Sequence, residues 1–318
     1  IWSQIYFLDH GESLGADFSE FKRQTDLSNK LAHSEKLQES FEGAVFDINN
    51  KIKAFTVRET KSSGIIELPD KVYIRESAYF TPDQESLYDQ ICEELRVEVE
   101  KDGKIVEDDS SATVKRLLRL VQVASNPRLV DDSYRGESAK ENVLNSLIEE
   151  IIASGEKCIV WTNFIENVDE FTREYSQYSA VKIHGGMKIA DRNKSVEKFR
   201  TDDSKILFAT PASAKEGLTL TMANHVIFYD RGFSLDDYLQ AQDRIHRISQ
   251  TKTCYVHNII MEGSIDEWID VLLEAKQNAA FLAQGDITLS EYQKKADYSF
   301  GDLIRQILFS NQGEVTYE

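Results

Sequence analysis

The stretch Gln240-Ala241-Gln242-Asp243-Arg244-Ile245-His246-Arg247-Ile248-Ser249-Gln250 decides how this chain is read. If residues 236–247 form one helix, Gln240, Asp243, Arg244 and Arg247 stand at i, i+3, i+4 and i+7 and share one face. Ile245 and His246 then point elsewhere. Two adjacent guanidiniums repel each other unless an anion lies between them, and their planar forks suit phosphate oxygens. Asp243 is expected to hold one fork in place. Strand-like runs flank the stretch, His225 to Asp230 before it and Cys254 to Ile260 after it. A buried parallel sheet therefore feeds this helix from both sides.

Working outward, the same alternation runs from Ser138. Ser138 and Glu141 have capping-box spacing, and Val143, Leu144, Leu147, Ile148, Ile151 and Ile152 make an apolar stripe ending at Gly155. Then come a strand 157–162, a helix 165–176, a strand 180–183, a helix 189–200 and a strand 205–210. Strands alternating with helices predict an α/β, doubly wound, mostly parallel sheet with helices on both faces. Ligands of such sheets bind beyond the carboxyl ends of the strands.

Those ends carry the remaining candidates. After the second strand of this run, His184-Gly185-Gly186-Met187-Lys188 offers two glycines where a phosphate can approach backbone N–H groups, with a helix start nearby. Lys182, Lys188, Arg192, Lys194, Lys198 and Arg200 give six basic residues against two acidic ones between 182 and 200, a local patch suited to a nucleic-acid backbone. Lys194 and Lys198 read as a solvated helix face, whereas Gly185, Gly186, Lys188 and Arg192 are the phosphate candidates. His184 and His225 lie at strand ends without a carboxylate or cysteine in motif spacing and read as structural.

The stretch 240–250 resembles motif VI of the superfamily-two helicase-like ATPases, and more narrowly the Snf-type double-stranded DNA translocases. Trp161-Thr162-Asn163-Phe164 resembles motif IV, the 184–188 loop the motif after it, and Ala209-Thr210 through Leu220 motif V. The fold implied is RecA-like. The resemblance implies that Arg244 and Arg247 are arginine fingers for ATP bound by a partner lobe, each such finger being worth about 10³ to 10⁵ in rate. It also implies ATP contacts by Gly217, Leu218, Thr219 and Gln240, and DNA contacts by Asn163, Gly185, Gly186, Lys188, Arg192, Thr210 and Lys215. In motif V the usual arginine and paired glycines are replaced by Ala212, Ala214 and Lys215, and Phe233 stands where the family has tryptophan. Lys215 either substitutes for that arginine or is exposed and idle.

Upstream, Ile1 to Asp9 with Phe18 and Phe21 resembles the segment after motif III, and 17–42 reads as helix. Arg58-Glu59-Thr60-Lys61 and Leu68-Pro69-Asp70-Lys71 resemble signatures at the end of the first lobe, with Glu59 in place of an arginine. The strand 71–79 is expected to return to the first lobe's sheet. Thr81-Pro82 opens a helix bearing Leu87, Ile91 and Leu95, an acidic linker follows at 101–111, and a second helix, 112–126, buries Leu117, Leu118 and Val121 before Pro127. These resemble the family's helical protrusion, with a plain helical hairpin as the alternative. Ser264 and Glu267 form a second capping-box pattern, and Trp268, Ile269, Leu272 and Leu273 a stripe that resembles the brace helix after motif VI. The expected divisions are 1–80 as the end of the first RecA-like lobe, 81–135 as protrusion, 136–263 as the second lobe, and 264–318 as brace helix and extension.

Composition bounds the function. The 318 residues suffice for about two domains. A formal charge of −18, from 55 acidic against 37 basic residues, excludes a global attraction to nucleic acid or to an anionic membrane, so DNA binding requires a local patch. Cys92, Cys158 and Cys254 are too dispersed for a metal or redox motif. No apolar run approaches a membrane span. The sequence contains no Gly-x-x-x-x-Gly-Lys-Ser/Thr loop, so ATP and Mg2+ are expected to be held mainly by the first RecA-like lobe of the same, longer polypeptide. Taken with the resemblance, this implies the C-terminal half of a DNA-dependent ATPase that is inactive without that lobe. Alternatives are the motor of a restriction system, an RNA-polymerase recycling ATPase, or a non-catalytic scaffold lobe. A cytoplasmic location, of bacterial or viral origin, is expected, or a nuclear one if the source is eukaryotic.

Overall fold

The computed structural model describes residues 1–27, 29–57, 67–102, 110–201, 204–216, 218–299 and 302. Arg58, Glu59 and Lys61 therefore lie outside the described residues. The chain divides into two compact units, one of Ile1–Thr60 with Asp270–Glu318 and one of Lys61–Ile269.

The first unit is helical: α1 (Trp2–Asp9), α2 (Phe18–Thr25) and α3 (Glu35–Ile52). Asp17 starts α2 by accepting from Ser19 N at 2.7 Å and Glu20 N at 3.4 Å, which satisfies two otherwise unpaired donors. The single helix expected over 17–42 is broken by a short 3-10 turn at Asn29–His33. The i, i+4, i+7 spacing of Phe41, Val45 and Ile48 gives α3 one apolar stripe. Phe41 and Val45 pack with Leu31, Leu282 and Tyr292, and Ile48 and Ile52 with Ile5.

The second unit carries the sheet. Its elements are β1 (Lys71–Ala78), α4 (Pro82–Asp102), α5 (Ser110–Ser125), α6 (Ala139–Ala153), β2 (Cys158–Trp161), α7 (Ile165–Glu174), β3 (Val181–Ile183), α8 (Ile189–Arg200), β4 (Ile206–Ala209), β5 (His225–Phe228), α9 (Leu235–Gln242) and β6 (Cys254–Met261). A further helix, α10 (Ile265–Gln284), starts in this unit and continues into the first, which also holds α11 (Leu289–Lys295). The strands form a six-stranded sheet in the order β1-β6-β5-β2-β4-β3, and every pairing is parallel. Helices cover both faces, and β2, β4 and β5 are buried along their whole length, as continuous apolar runs in a covered parallel sheet require.

Several expectations need correction. Strand β1 does not return to a first-lobe sheet: it pairs with β6 from Lys71↔Cys254 to Ala78↔Met261. Cys254 N→Asp70 O and Glu262 N→Ala78 O, both 2.9 Å, extend that ladder at each end. The break expected at residue 80 thus falls before β1, and α4 and α5 belong with the sheet. Gln84 joins them to α6, donating to Val123 O at 2.9 Å and accepting from Ala139 N at 3.1 Å. On α5 the buried side chains among the described residues are Leu117, Leu120, Val121, Val123, Ala124 and Ser125, while Leu118 is exposed. Neither expected capping box forms. The Ser138 hydroxyl turns to Ser125 O (3.3 Å) and Glu141 pairs with Arg128. Ser264 accepts from Asp266 N at 3.1 Å, whereas Glu267 faces Arg75 at 3.6 Å. A true capping box, Thr288 with Glu291, opens α11 in the tail to which sequence reading gave no role.

Candidate nucleotide and nucleic-acid face

The helix carrying the decisive stretch is shorter than its pattern. Ser234 caps α9 by accepting from Asp237 N at 3.3 Å, and the helix ends at Gln242. Arg244 N and Ile245 N then bond three residues back, to Ala241 O and Gln242 O, each at 3.3 Å, which tightens the chain into turns. Ile245 drives this departure, because its fully buried side chain enters the core beneath β5 and β6. Gln250 fixes the result. Its amide nitrogen donates to Thr221 O, Ala223 O and Ile245 O at 3.2, 2.9 and 3.1 Å, and its oxygen accepts from Thr251 N and Lys252 N at 3.0 Å each. Gln240, Asp243, Arg244 and Arg247 therefore do not share one helix face.

The two arginines nevertheless converge on one short segment. Arg244 Nη1 donates to Leu218 O at 3.4 Å, Arg247 Nη1 to Thr219 Oγ1 at 2.8 Å, and Leu220 N to Arg244 O at 3.0 Å. Arg244 is only 6 % exposed, and its buried Nε has no hydrogen-bond partner. Burial and the neighbouring Arg247 charge push its pKa below the usual guanidinium range, with Asp243 opposing. An arginine does not give up its proton at neutral pH, so the strain on this charge favours an anion beside it. The Asp243 carboxylate pairs with Lys71 at 3.3 Å, and the Asp243 carbonyl accepts from Arg247 Nε at 3.1 Å. Gln240 is exposed on the last turn of α9. Gly217 and the Lys215 side chain lie outside the described residues.

The residues expected at nucleic acid form a second group, at the ends of β2, β3 and β4. Gly185 faces open space, and Gly186 and Lys188 are exposed. The loop spends part of its donors on itself, since Gly186 N donates to His184 Nδ1 and Met187 N to His184 O, both at 3.2 Å. Arg192 clamps the same carbonyl through Nε and Nη2 at 3.2 and 3.1 Å. The basic patch is smaller than its sequence count, because Lys182 pairs with Asp169 at 2.6 Å and Arg200 with Glu197 at 2.7 Å. Thr210 is buried, and its backbone ties β4 to β3 through Thr210 N→Ile183 O at 3.2 Å.

Asn163 is exposed, but its backbone N and side-chain Nδ2 both donate to Asp230 Oδ1 at 2.7 Å. The other Asp230 oxygen accepts from Ser125 Oγ (2.8 Å) and Thr162 Oγ1 (2.5 Å). Sequence reading missed Asp230 as the knot beneath this loop. Its place at the end of an apolar strand was the available signal, but its partners lie 67, 68 and 105 residues away. Beside it, Asn163, Arg231, Phe233, Asp237 and Tyr238 help line a cleft of about 290 Å3. His184 and His225 do find carboxylates: Asp169 lies 3.5 Å from His184, and Glu156 lies 2.7 Å from His225, whose other ring nitrogen contacts His257 at 3.2 Å. Burial lowers the His225 pKa against the opposing Glu156 contact. Among the described residues no group of three or more His, Cys, Asp or Glu side chains is placed to hold a metal ion.

Known proteins resemble this arrangement. Residues 139–249 match the helicase conserved C-terminal domain family. The chain is 30 % identical over 288 residues, 87 % of its length, to YwqA of Bacillus subtilis, named an ATP-dependent helicase/translocase, and covers 30 % of that protein. It is 33 % identical over 159 residues to the chromatin-remodeling ATPase INO80 of Mycosarcoma maydis, covering 49 % of this chain and 8 % of that one. The chain thus spans under a third of the length of either relative. In structure, the Sulfolobus solfataricus SWI2/SNF2 ATPase core in complex with dsDNA aligns over 93 % of this chain and 63 % of its own, at TM-score 0.57 and 25 % identity. The C-terminal part of the Fun30 ATPase domain aligns at TM-score 0.58 and 19 % identity, over 77 % of this chain and 98 % of its own. The parallel sheet, the arginine turn packed on it and these likenesses together place the chain in the Snf-type branch of the superfamily-two helicase-like ATPases, as a C-terminal lobe.

Proposed function

We propose that this lobe works in an ATP-dependent, duplex-DNA translocase as the half that completes the nucleotide site. Arg244 and Arg247 present their guanidiniums to the γ-phosphate of ATP held, with Mg2+, by a first RecA-like lobe of the same polypeptide. The observation that supports this most is the buried, unpartnered Arg244 Nε beside a second guanidinium, an arrangement an anion would relieve. Leu218 and Thr219 hold both arginines in place, and the exposed Gln240 lies on the helix that leads into them. Closure of the lobes brings the arginines to the developing charge, and hydrolysis releases them. Gly185, Gly186 and Lys188, with Asn163 set by Asp230, grip the DNA backbone during this cycle, and contacts with phosphates rather than bases leave the motion independent of sequence. A cytoplasmic setting, or a nuclear one in a eukaryote, is part of this reading.

The test is ATP hydrolysis by the polypeptide carrying both lobes, with and without duplex DNA, single-stranded DNA or RNA. Arg247→Ala is expected to lower the duplex-stimulated rate by about 10³ or more while duplex affinity stays within about twofold. Equal loss of both activities would make Arg247 structural. Absence of hydrolysis under every condition would favour a scaffold lobe.

A further inference from the structure

The knot beneath Asn163 draws on an amide that no motif marks. Asn167 lies in the first turn of α7 and is fully buried, where burial by itself favours an apolar side chain. Its Nδ2 donates to Ser125 Oγ at 3.0 Å and to Thr162 Oγ1 at 3.2 Å, and its Oδ1 accepts from Asn126 Nδ2 at 2.9 Å. Asn126 Nδ2 also donates to Glu170 Oε2 at 3.0 Å. Ser125, Asn126, Thr162 and Asp230 are buried as well, each at 1 % exposure or less. All of these residues belong to the unit that carries the sheet.

Hydrogen counting gives that amide a task. The Asp230 carboxylate can only accept, and each of its oxygens receives two donors: Asn163 N and Nδ2 on Oδ1, Ser125 Oγ and Thr162 Oγ1 on Oδ2. A hydroxyl has one hydrogen, so Ser125 and Thr162, having given theirs to Asp230, face Asn167 only as acceptors. Position 167 must therefore supply two hydrogens and keep an acceptor for Asn126. An amide provides that combination, and a carboxylate, a hydroxyl or an apolar side chain does not. With both hydroxyls so directed, the buried charge of Asp230 is spread over four neutral donors, and Asn163 is held by its backbone and its side chain together. We propose that Asn167 is a positioning residue for the DNA grip: by turning the Ser125 and Thr162 hydroxyls onto Asp230, it fixes the exposed Asn163 amide in the orientation that meets a phosphate backbone. This rests on the duplex-DNA reading above. It also ties the grip to the end of α5, because Ser125 closes that helix, Asn126 follows it, and both are partners of Asn167.

The experiment titrates labelled duplex DNA and measures duplex-stimulated ATP hydrolysis in the polypeptide carrying both lobes, with a thermal midpoint for each variant. Asn167→Asp sets a carboxylate of the same shape against both hydroxyls, where it competes with Asp230 for their hydrogens. It is expected to weaken duplex binding about tenfold and to raise the half-stimulating duplex concentration to match, while kcat at saturating duplex falls by less than about threefold. The exchange Asn167→Asp with Asp230→Asn reverses the direction of the chain. Both hydroxyls then donate to position 167 and accept from an amide at position 230, whose oxygen still accepts from Asn163. Duplex affinity is expected to return to within about threefold of wild type. The proposal is overturned by a wild-type affinity for Asn167→Asp, by an exchange variant that binds no better than Asn167→Asp, or by a kcat loss as large as the loss of affinity. Should Asn167→Asp fail to fold, Thr162→Val removes one hydroxyl donor at nearly constant shape. It is expected to weaken binding about threefold, and a wild-type affinity there is equally fatal. Asn163→Ala run alongside separates the two readings. If Asn163→Ala binds duplex as wild type does, Asn163 is no part of the grip and the proposal falls with that reading, whereas a weakened Asn163→Ala beside a wild-type Asn167→Asp removes only the role given to Asn167.

Discussion

The arginine turn lies against the segments that lead into β1, β5 and β6, whereas the glycine loop follows the carboxyl end of β3, and the two are built in opposite ways. The turn is anchored from beneath by Ile245, tied by five hydrogen bonds of the Gln250 side chain, and left with a buried charge that lacks a full set of partners. The loop is exposed and satisfies much of its own polarity through His184 and Arg192. A rigid turn with a strained charge suits chemistry, where preorganised charge is worth most. An exposed, self-satisfied loop suits a weak, repeatedly broken contact with a phosphate backbone, where each lysine contributes a modest, salt-sensitive increment.

Four changes test that contrast. The largest effect is expected from Arg244→Ala, which should slow duplex-stimulated hydrolysis by about 10³, or roughly 4 kcal/mol of barrier, with DNA affinity nearly unchanged. Titration with labelled duplex beside the hydrolysis assay checks it, and parallel loss of both would erase the distinction between turn and loop. Next comes Gln250→Ala. Three carbonyls and two N–H groups around the turn would lose their partner, and denaturant unfolding should show a loss of about 2–4 kcal/mol. A loss below about 0.5 kcal/mol would mean that Ile245 holds the turn without help.

A pH effect of intermediate size belongs to neither region and serves as a control on the scaffold. Burial raises the Glu141 carboxyl to about 7, against the attraction of Arg128 and with help from Glu174 and Glu170. Its folded pKa lies above the unfolded value, so the folded state binds more protons and this group's contribution is fully present below about pH 4.5. That contribution is lost as pH rises through about 7. Glu141→Gln should flatten the fall in stability across this window, as read from thermal midpoints at several pH values. An unchanged slope would mean that Arg128 keeps the carboxylate charged throughout. The smallest effect is Lys188→Ala, expected to weaken duplex binding by about 1 kcal/mol or less and to reduce the salt slope by about one, with the maximal hydrolysis rate unaltered. A drop in that rate at saturating DNA would show that the loop is coupled to chemistry after all.

Much of this was legible in the chain. The alternating apolar runs announced the parallel sheet from 138 onward, and helix 189–200 falls where its pattern placed it. The pairing of Arg244 and Arg247 with Leu218 and Thr219 joins two of the quoted motifs. Illegible were the contacts made by polar residues across long sequence distances. Asp230 beneath Asn163, and Lys71 on Asp243, depend on which strand lies beside which. Periodicity reports which face of an element is buried, and nothing in it specifies that β1 pairs with β6. The two failed capping boxes teach the same lesson locally. Ser138 and Glu141 have the right spacing, but Ser125 and Arg128 compete for them once α5 and α6 are neighbours.

The sequence by itself determined the class of fold, the strands that the candidate loops follow, and the residue types able to meet a phosphate, because hydrophobic period and side-chain chemistry are local properties. Tertiary structure alone decided that helix α9 stops at Gln242, that Lys71 reaches Asp243, and that Arg244 keeps a buried nitrogen without a partner. Each of these follows from burying Ile245 against a sheet whose strand order the local pattern does not encode.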